Sequence, residues 1–76
     1  MHGMDNRAFG KTLKRLREKE GLSQEELAFQ AELHRTYISQ IERGIKSPSL
    51  RTIQQLATAL GIRASALIRR AEGHPD

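Results

Sequence analysis

The segment Ser23-Gln24-Glu25-Glu26-Leu27-Ala28-Phe29-Gln30-Ala31-Glu32-Leu33-His34-Arg35-Thr36-Tyr37-Ile38-Ser39-Gln40-Ile41-Glu42-Arg43-Gly44 sets the architecture of this chain. Ser23 followed three residues later by Glu26 is a capping box. The serine hydroxyl accepts from a first-turn N–H, and the glutamate reaches back to the Ser23 N–H. Glu25 and Glu26 also suit the positive end of a helix dipole. Leu27, Ala28 and Ala31 then point inward at helical spacing, and the helix stops around Ala31-Glu32. Leu33-His34 reads as a tight turn. A second short helix begins near Arg35, buries Ile38 and Ile41, and stops at Gly44.

Two short helices on a tight turn form a helix-turn-helix. The motif asks for small residues where the helices approach, supplied by Ala28 and Ala31, and for an apolar residue in the turn, supplied by Leu33. The second helix must keep one face apolar and leave the other free. Arg35, Thr36, Ser39 and Gln40 fall on that free face. Arginine pairs bidentately with guanine, and glutamine with adenine. Phe29 falls on the side of its helix away from Leu27, Ala28 and Ala31. It is expected to cover a neighbouring loop or tail, with a subunit contact as the sharper alternative.

Outward from this unit the chain continues as short helical patterns separated by glycine. Before it, a helix is expected from near Asp5, a candidate N-cap, to Glu20. Phe9, Leu13 and Leu16 form its apolar stripe, and Gly21 ends it. Lys11, Lys14, Arg15, Arg17 and Lys19 occupy much of its remaining surface. After the unit, Ile45-Lys46-Ser47-Pro48 is a loop, because Pro48 disfavours helix at Ser47. Ser49 caps a fourth helix with apolar positions Leu50, Ile53, Leu56, Ala57 and Leu60, ended by Gly61. A fifth helix is expected over about Ala64–Ala71, carrying Leu67 and Ile68. Its N-cap falls on Arg63, which has no acceptor. No period-two alternation appears, so the fold class is all-α: a compact bundle of about five short helices. The domain is expected over 5–72, with 1–4 a disordered N-terminus or expression scar and 73–76 a tail.

Composition bounds what such a bundle can do. The chain has 76 residues, room for one small domain. A domain of this size buries only ~60% of the surface of its unfolded chain, so its core is marginal. Its 13 Lys+Arg against 9 Asp+Glu give a formal charge of +4, which favours a polyanionic partner. With 0 cysteines there is no disulfide, thiolate zinc site or cysteine nucleophile. His2, His34 and His74 are scattered without metal-ligand spacing, so no metal and no cofactor are expected, and His34 reads as a local cap. There is no phosphate-binding glycine loop, no nucleophile elbow and no plausible carboxylate pair, so no enzymatic activity and no small-molecule ligand are expected. No apolar run approaches the ~20 residues of a membrane span. A basic amphipathic membrane binder fits poorly, because the first helix needs its apolar stripe for the core. The expectation is a soluble, cytoplasmic protein.

The runs Gly21–Ala28 and Leu33–Gly44, with Pro48-Ser49-Leu50 and Leu56-Ala57-Thr58-Ala59-Leu60-Gly61, resemble the Cro and phage-repressor (Xre-type) helix-turn-helix family over about residues 9–69. Within that family the His34–Ser39 stretch looks most like controller proteins of restriction–modification systems. The resemblance implies a lambda-repressor-like DNA-binding domain. It implies base contacts by Arg35, Thr36 and Gln40, and phosphate contacts by Gln24, Arg43 and Lys46. Ser39, on the free face, is a further candidate for a base contact, and Tyr37 is expected to pack its ring against the core edge, with its hydroxyl offered to a phosphate as the sharper alternative. It further implies that Gln24 braces the recognition helix, that Arg17 and Glu42 form a structural ion pair, and that subunits pair through their C-terminal helices. Two positions depart from the family pattern. Glu32 stands where the turn usually has glycine; if the position is left-handed, the cost is ~1–2 kcal/mol. His34 replaces the usual Ser or Thr cap.

Ile53, Leu56, Leu60, Leu67 and Ile68 offer more apolar surface than one thin helical layer needs, and part of it is expected to be shared with a second subunit. The function expected is therefore a homodimeric, sequence-specific transcriptional regulator that binds double-stranded DNA at a roughly palindromic operator. The alternative is an antitoxin-type module that neutralises a protein partner and binds DNA secondarily.

Overall fold

A computed structural model of the chain describes residues 5–73. It contains α1 (Asn6–Lys19), α2 (Gln24–Ala31), α3 (Arg35–Glu42), α4 (Leu50–Leu60) and α5 (Ala64–Ala71). The expectations for residues 1–4 and for His74-Pro75-Asp76 lie outside the described residues.

Each helix starts where its local chemistry dictates. Asp5 caps α1 by accepting from the Ala8 N–H at 2.7 Å. At α2 both halves of the capping box are made: Ser23 Oγ accepts from Glu26 N at 2.9 Å, and Glu26 Oε1 accepts from Ser23 N at 2.8 Å. The Ser23 backbone N–H, and after it the Ser23 hydroxyl, favour the ionised glutamate and hold its carboxyl below the usual glutamate range. His34 caps α3 through Nδ1, which accepts from Thr36 N at 3.3 Å. Ser49 caps α4 by accepting from Thr52 N at 3.1 Å. Arg63 gives α5 no side-chain cap, as its chemistry requires.

All five helices are followed by a positive-φ residue, and four of them show the complete closing motif among the described residues. In the Schellman motif the residue after the helix end adopts the left-handed conformation, and two backbone N–H groups fold back onto orphan carbonyls. Leu22 N donates to Arg17 O, Leu33 N to Ala28 O, Ile45 N to Gln40 O, and Ile62 N to Ala57 O, each at 2.9 or 3.0 Å. Gly21, Gly44 and Gly61 fill three of the left-handed positions, and Glu32 fills the fourth with φ 60 and ψ 42.

The helices close a cycle: α1 packs on α3 and α5, α2 on α3 and α4, and α4 on α5. Inside it Phe9, Leu13, Leu27, Ile38, Ile41, Leu56 and Leu67 are fully enclosed. Leu33, expected to be buried in the turn, is half-buried and packs on the edge of this core.

Closure of the cycle corrects the expected subunit surface. Leu56 and Leu67 are 0% exposed, and Ile53 and Leu60 are 4% and 8% exposed. Packing of α5 against both α4 and α1 takes these four side chains into the core of the single chain, so they present almost nothing to a partner. Of the five, only Ile68 is partly exposed, while still packing against the core.

Candidate nucleic-acid interface

The site is built on α3. Ile38 and Ile41, three residues apart, are fully enclosed and bind one face of the helix to the core. On the other side Arg35 and Thr36 are exposed, and Ser39 and Gln40, one turn further on, are half-buried. Residues four apart share a helix face, so Arg35 aligns with Ser39 and Thr36 with Gln40. Eight residues at 1.5 Å each make a rod of about 12 Å. The major groove of B-DNA is also about 12 Å wide.

A polar hub fixes the far end of this rod. Arg17 from α1 donates through Nε to Glu42 Oε2 at 2.7 Å and through Nη2 to Glu42 Oε1 at 3.0 Å. Its Nη1 donates to Leu22 O at 2.8 Å, in the turn before α2. Gln24 Nε2 donates to Glu42 Oε1 at 3.0 Å. One carboxylate thus ties α1, the start of α2 and the end of α3. The Arg17 and Glu42 side chains are only 9% and 3% exposed. The bond to Glu42 holds the Arg17 guanidinium even more firmly protonated than usual. The Arg17–Glu42 pair is present as anticipated, and its link to Leu22 adds the turn before α2.

The remaining polar positions are distributed as follows. The Gln24 amide has a second N–H beyond the one given to Glu42, and it can donate to a further acceptor. Tyr37 is half-buried, with its hydroxyl 3.4 Å from Thr52 Oγ1 on α4, longer than a strong hydroxyl bond. Arg43 and Lys46 are exposed on either side of Gly44, just beyond α3. Phe29 is 84% exposed and covers no loop among the described residues.

Two positioning contacts escaped the sequence reading. Gln55 on α4 donates from Nε2 to Ala31 O at 3.1 Å, anchoring the last turn of α2. A glutamine on a helix surface gives no sequence signal of such a partner. Gly10, inside α1, lies against the backbone at the end of α3: a Cβ there would collide with the Ile41 carbonyl and stand 2.6 Å from that of Glu42. The signal for Gly10 was available, because an interior helical glycine costs ~1 kcal/mol relative to alanine and therefore marks a packing need.

Fold and site together define a helix-turn-helix domain with one outward polar helix. Residues 13–67 match the helix-turn-helix family model. The chain is 46% identical over 61 residues to the control protein C.BamHI of Bacillus amyloliquefaciens, covering 79% of this chain and 75% of that one. It matches the crystal structure of the restriction-modification controller protein C.AhdI from Aeromonas hydrophila with a TM-score of 0.78 at 48% identity, covering 80% of this chain and 92% of that chain. A crystal structure of SinR, a master regulator for biofilm formation, in complex with DNA matches with a TM-score of 0.74 at 30% identity, covering 78% and 95% of the two chains. The chain belongs to the helix-turn-helix family, and is similar in sequence and fold to restriction–modification controller proteins. These relatives support a DNA-binding transcriptional regulator over an antitoxin-type module. Among the described residues no helix is long and apolar enough to cross a membrane.

Proposed function

We propose that this chain regulates transcription as a homodimer, each subunit laying α3 in the major groove of one half-site of a roughly palindromic operator. The observation that carries this reading is the division of α3. Its apolar face is fully enclosed, its end is held by the Arg17–Glu42–Gln24 hub, and its Arg35 and Thr36 side chains remain exposed. A recognition helix contacts base edges with its N-terminal residues, and these stand at that end. Arg35, Thr36, Ser39 and Gln40 read bases. Gln24, Tyr37, Arg43 and Lys46 hold phosphates. Ile68 and its surroundings on α5 pair the subunits, which spaces the half-sites by about one helical turn, ~34 Å. The likeness to C.BamHI and C.AhdI supports control of a restriction–modification system, so genes for a nuclease and a methyltransferase are expected beside this one.

Selection of binding sites from random duplexes tests the reading. With the selected operator, Arg35→Ala should lose ~1–3 kcal/mol and relax the preference at one position of each half-site. Arg43→Ala should weaken all sequences about equally and lower the slope of log affinity against log salt by ~1 for each subunit. Parental affinity in both variants would remove α3 and its C-terminal turn from the interface.

A further inference from the structure

Two glycines, Gly10 inside α1 and Gly44 just beyond the recognition helix, bring a cation from α1 to the end of that helix. Gly10 lets α1 settle on the Ile41 and Glu42 carbonyls. Gly44, at φ +76, lies directly against Arg7: a Cβ on Gly44 would stand 2.8 Å from Arg7 Cγ and 3.2 Å from its Cα. The stem of Arg7 therefore covers the turn whose neighbours on either side are Arg43 and Lys46. From the geometry we infer that Arg7, in the first turn of α1, is a further phosphate-binding residue, completing a three-cation cluster with Arg43 and Lys46. This inference rests on the DNA-binding reading above.

Three observations give it direction. Arg7 is exposed, and its guanidinium has no hydrogen bond or ion pair among the described residues. Asp5, two residues before it, accepts from the Ala8 N–H, and the Glu42 carboxylate at the end of α3 is held by Arg17 and Gln24. Three carbonyls of the last turn of α3 are engaged as well. Ser39 O accepts from Arg43 N, Gln40 O from Ile45 N, and Ile41 O from Gly44 N. A helix as long as the groove is wide, with its first turn at the base edges, brings its last turn toward a sugar-phosphate strand. Arg7 travels with that turn because Gly44 seats it.

The test is the salt dependence of binding for the full chain on two probes: a duplex selected by the parent protein, and a scrambled duplex of the same composition. Each phosphate neutralised on B-DNA contributes ~0.9 to the slope. Arg7→Gln should lower the slope by about 0.9 per subunit on both duplexes, while Arg7→Lys keeps it. Arg63→Gln, an equal change of net charge at the exposed N-cap of α5, should leave the slope near the parental value. The inference is overturned if Arg7→Gln retains the parental slope, even with a lowered melting temperature, since a structural role would move stability alone. It is also overturned if Arg7→Gln and Arg63→Gln lower the slope equally, which would be a general charge effect. A parent protein without salt-linked DNA binding would instead defeat the functional reading and this inference together.

Discussion

Glu32 occupies a positive-φ position that the four other helix ends in this chain give to glycine. For a residue with a Cβ that conformation costs ~1–2 kcal/mol. Its carboxylate also sits at the negative end of the α2 dipole, worth a further ~0.3–1 kcal/mol against folding. Replacing it with glycine removes both costs and adds back ~0.4–1 kcal/mol of unfolded-chain freedom. Glu32→Gly is therefore expected to stabilise the domain by about 1 kcal/mol, with a rise in Tm of ~4–8 °C. Thermal unfolding followed by circular dichroism measures this directly. A lower Tm would mean that the Glu32 side chain makes a contact in solution that outweighs its backbone strain. The sequence marked this residue as a departure from its family, and the backbone angles supply the reason it matters.

At the scale of elements, two helices carry opposite lessons. The N-cap of α5 is Arg63, which makes no capping bond. Arg63→Asn supplies an acceptor for a first-turn N–H and should add ~0.5–2 kcal/mol, measured as a higher midpoint in urea with an unchanged slope. α1, by contrast, tolerates no side chain at Gly10. Gly10→Ala gains ~1 kcal/mol of helix propensity but sets its Cβ against the Ile41 and Glu42 carbonyls, which are backbone and cannot rotate away. Overpacking of this kind costs ~1–3 kcal/mol, and here it also displaces the recognition helix. The expected result is a net loss of stability and a loss of operator affinity beyond what unfolding explains. A variant that gained stability and bound normally would show the α1–α3 contact to be soft.

For the whole molecule, the proposed dimer raises the question of which surface pairs the subunits. The cycle of helices consumes Leu56 and Leu67 completely, so in the proposed dimer α5 offers a partner only its partly exposed Ile68. Ile68→Asp places a charge on that surface. It is expected to shift the free protein from dimer toward monomer in sedimentation velocity. Operator binding should fall more steeply than binding of one half-site to one subunit, because a linked pair gains from effective concentration. An unchanged sedimentation coefficient would move the subunit contact away from α5.

The sequence by itself determined the helices and their ends. Capping boxes, C-terminal glycines and apolar stripes are local signals, read within a turn or two of the residue that carries them. It also separated the enclosed residues of α3, Ile38 and Ile41, from the outward Arg35 and Thr36, because helical periodicity alone fixes that division. Through family likeness it reached the pair Arg17–Glu42, 25 positions apart. Tertiary structure alone decided how the surplus apolar surface of α4 and α5 is divided, since a stripe facing inward looks the same whether a helix of the same chain or of a partner covers it. It alone brought Gln55 to Ala31 and Arg7 to Gly44. Those contacts depend on the distance and angle between helices, which follow from the closing of the whole core rather than from any short run of residues.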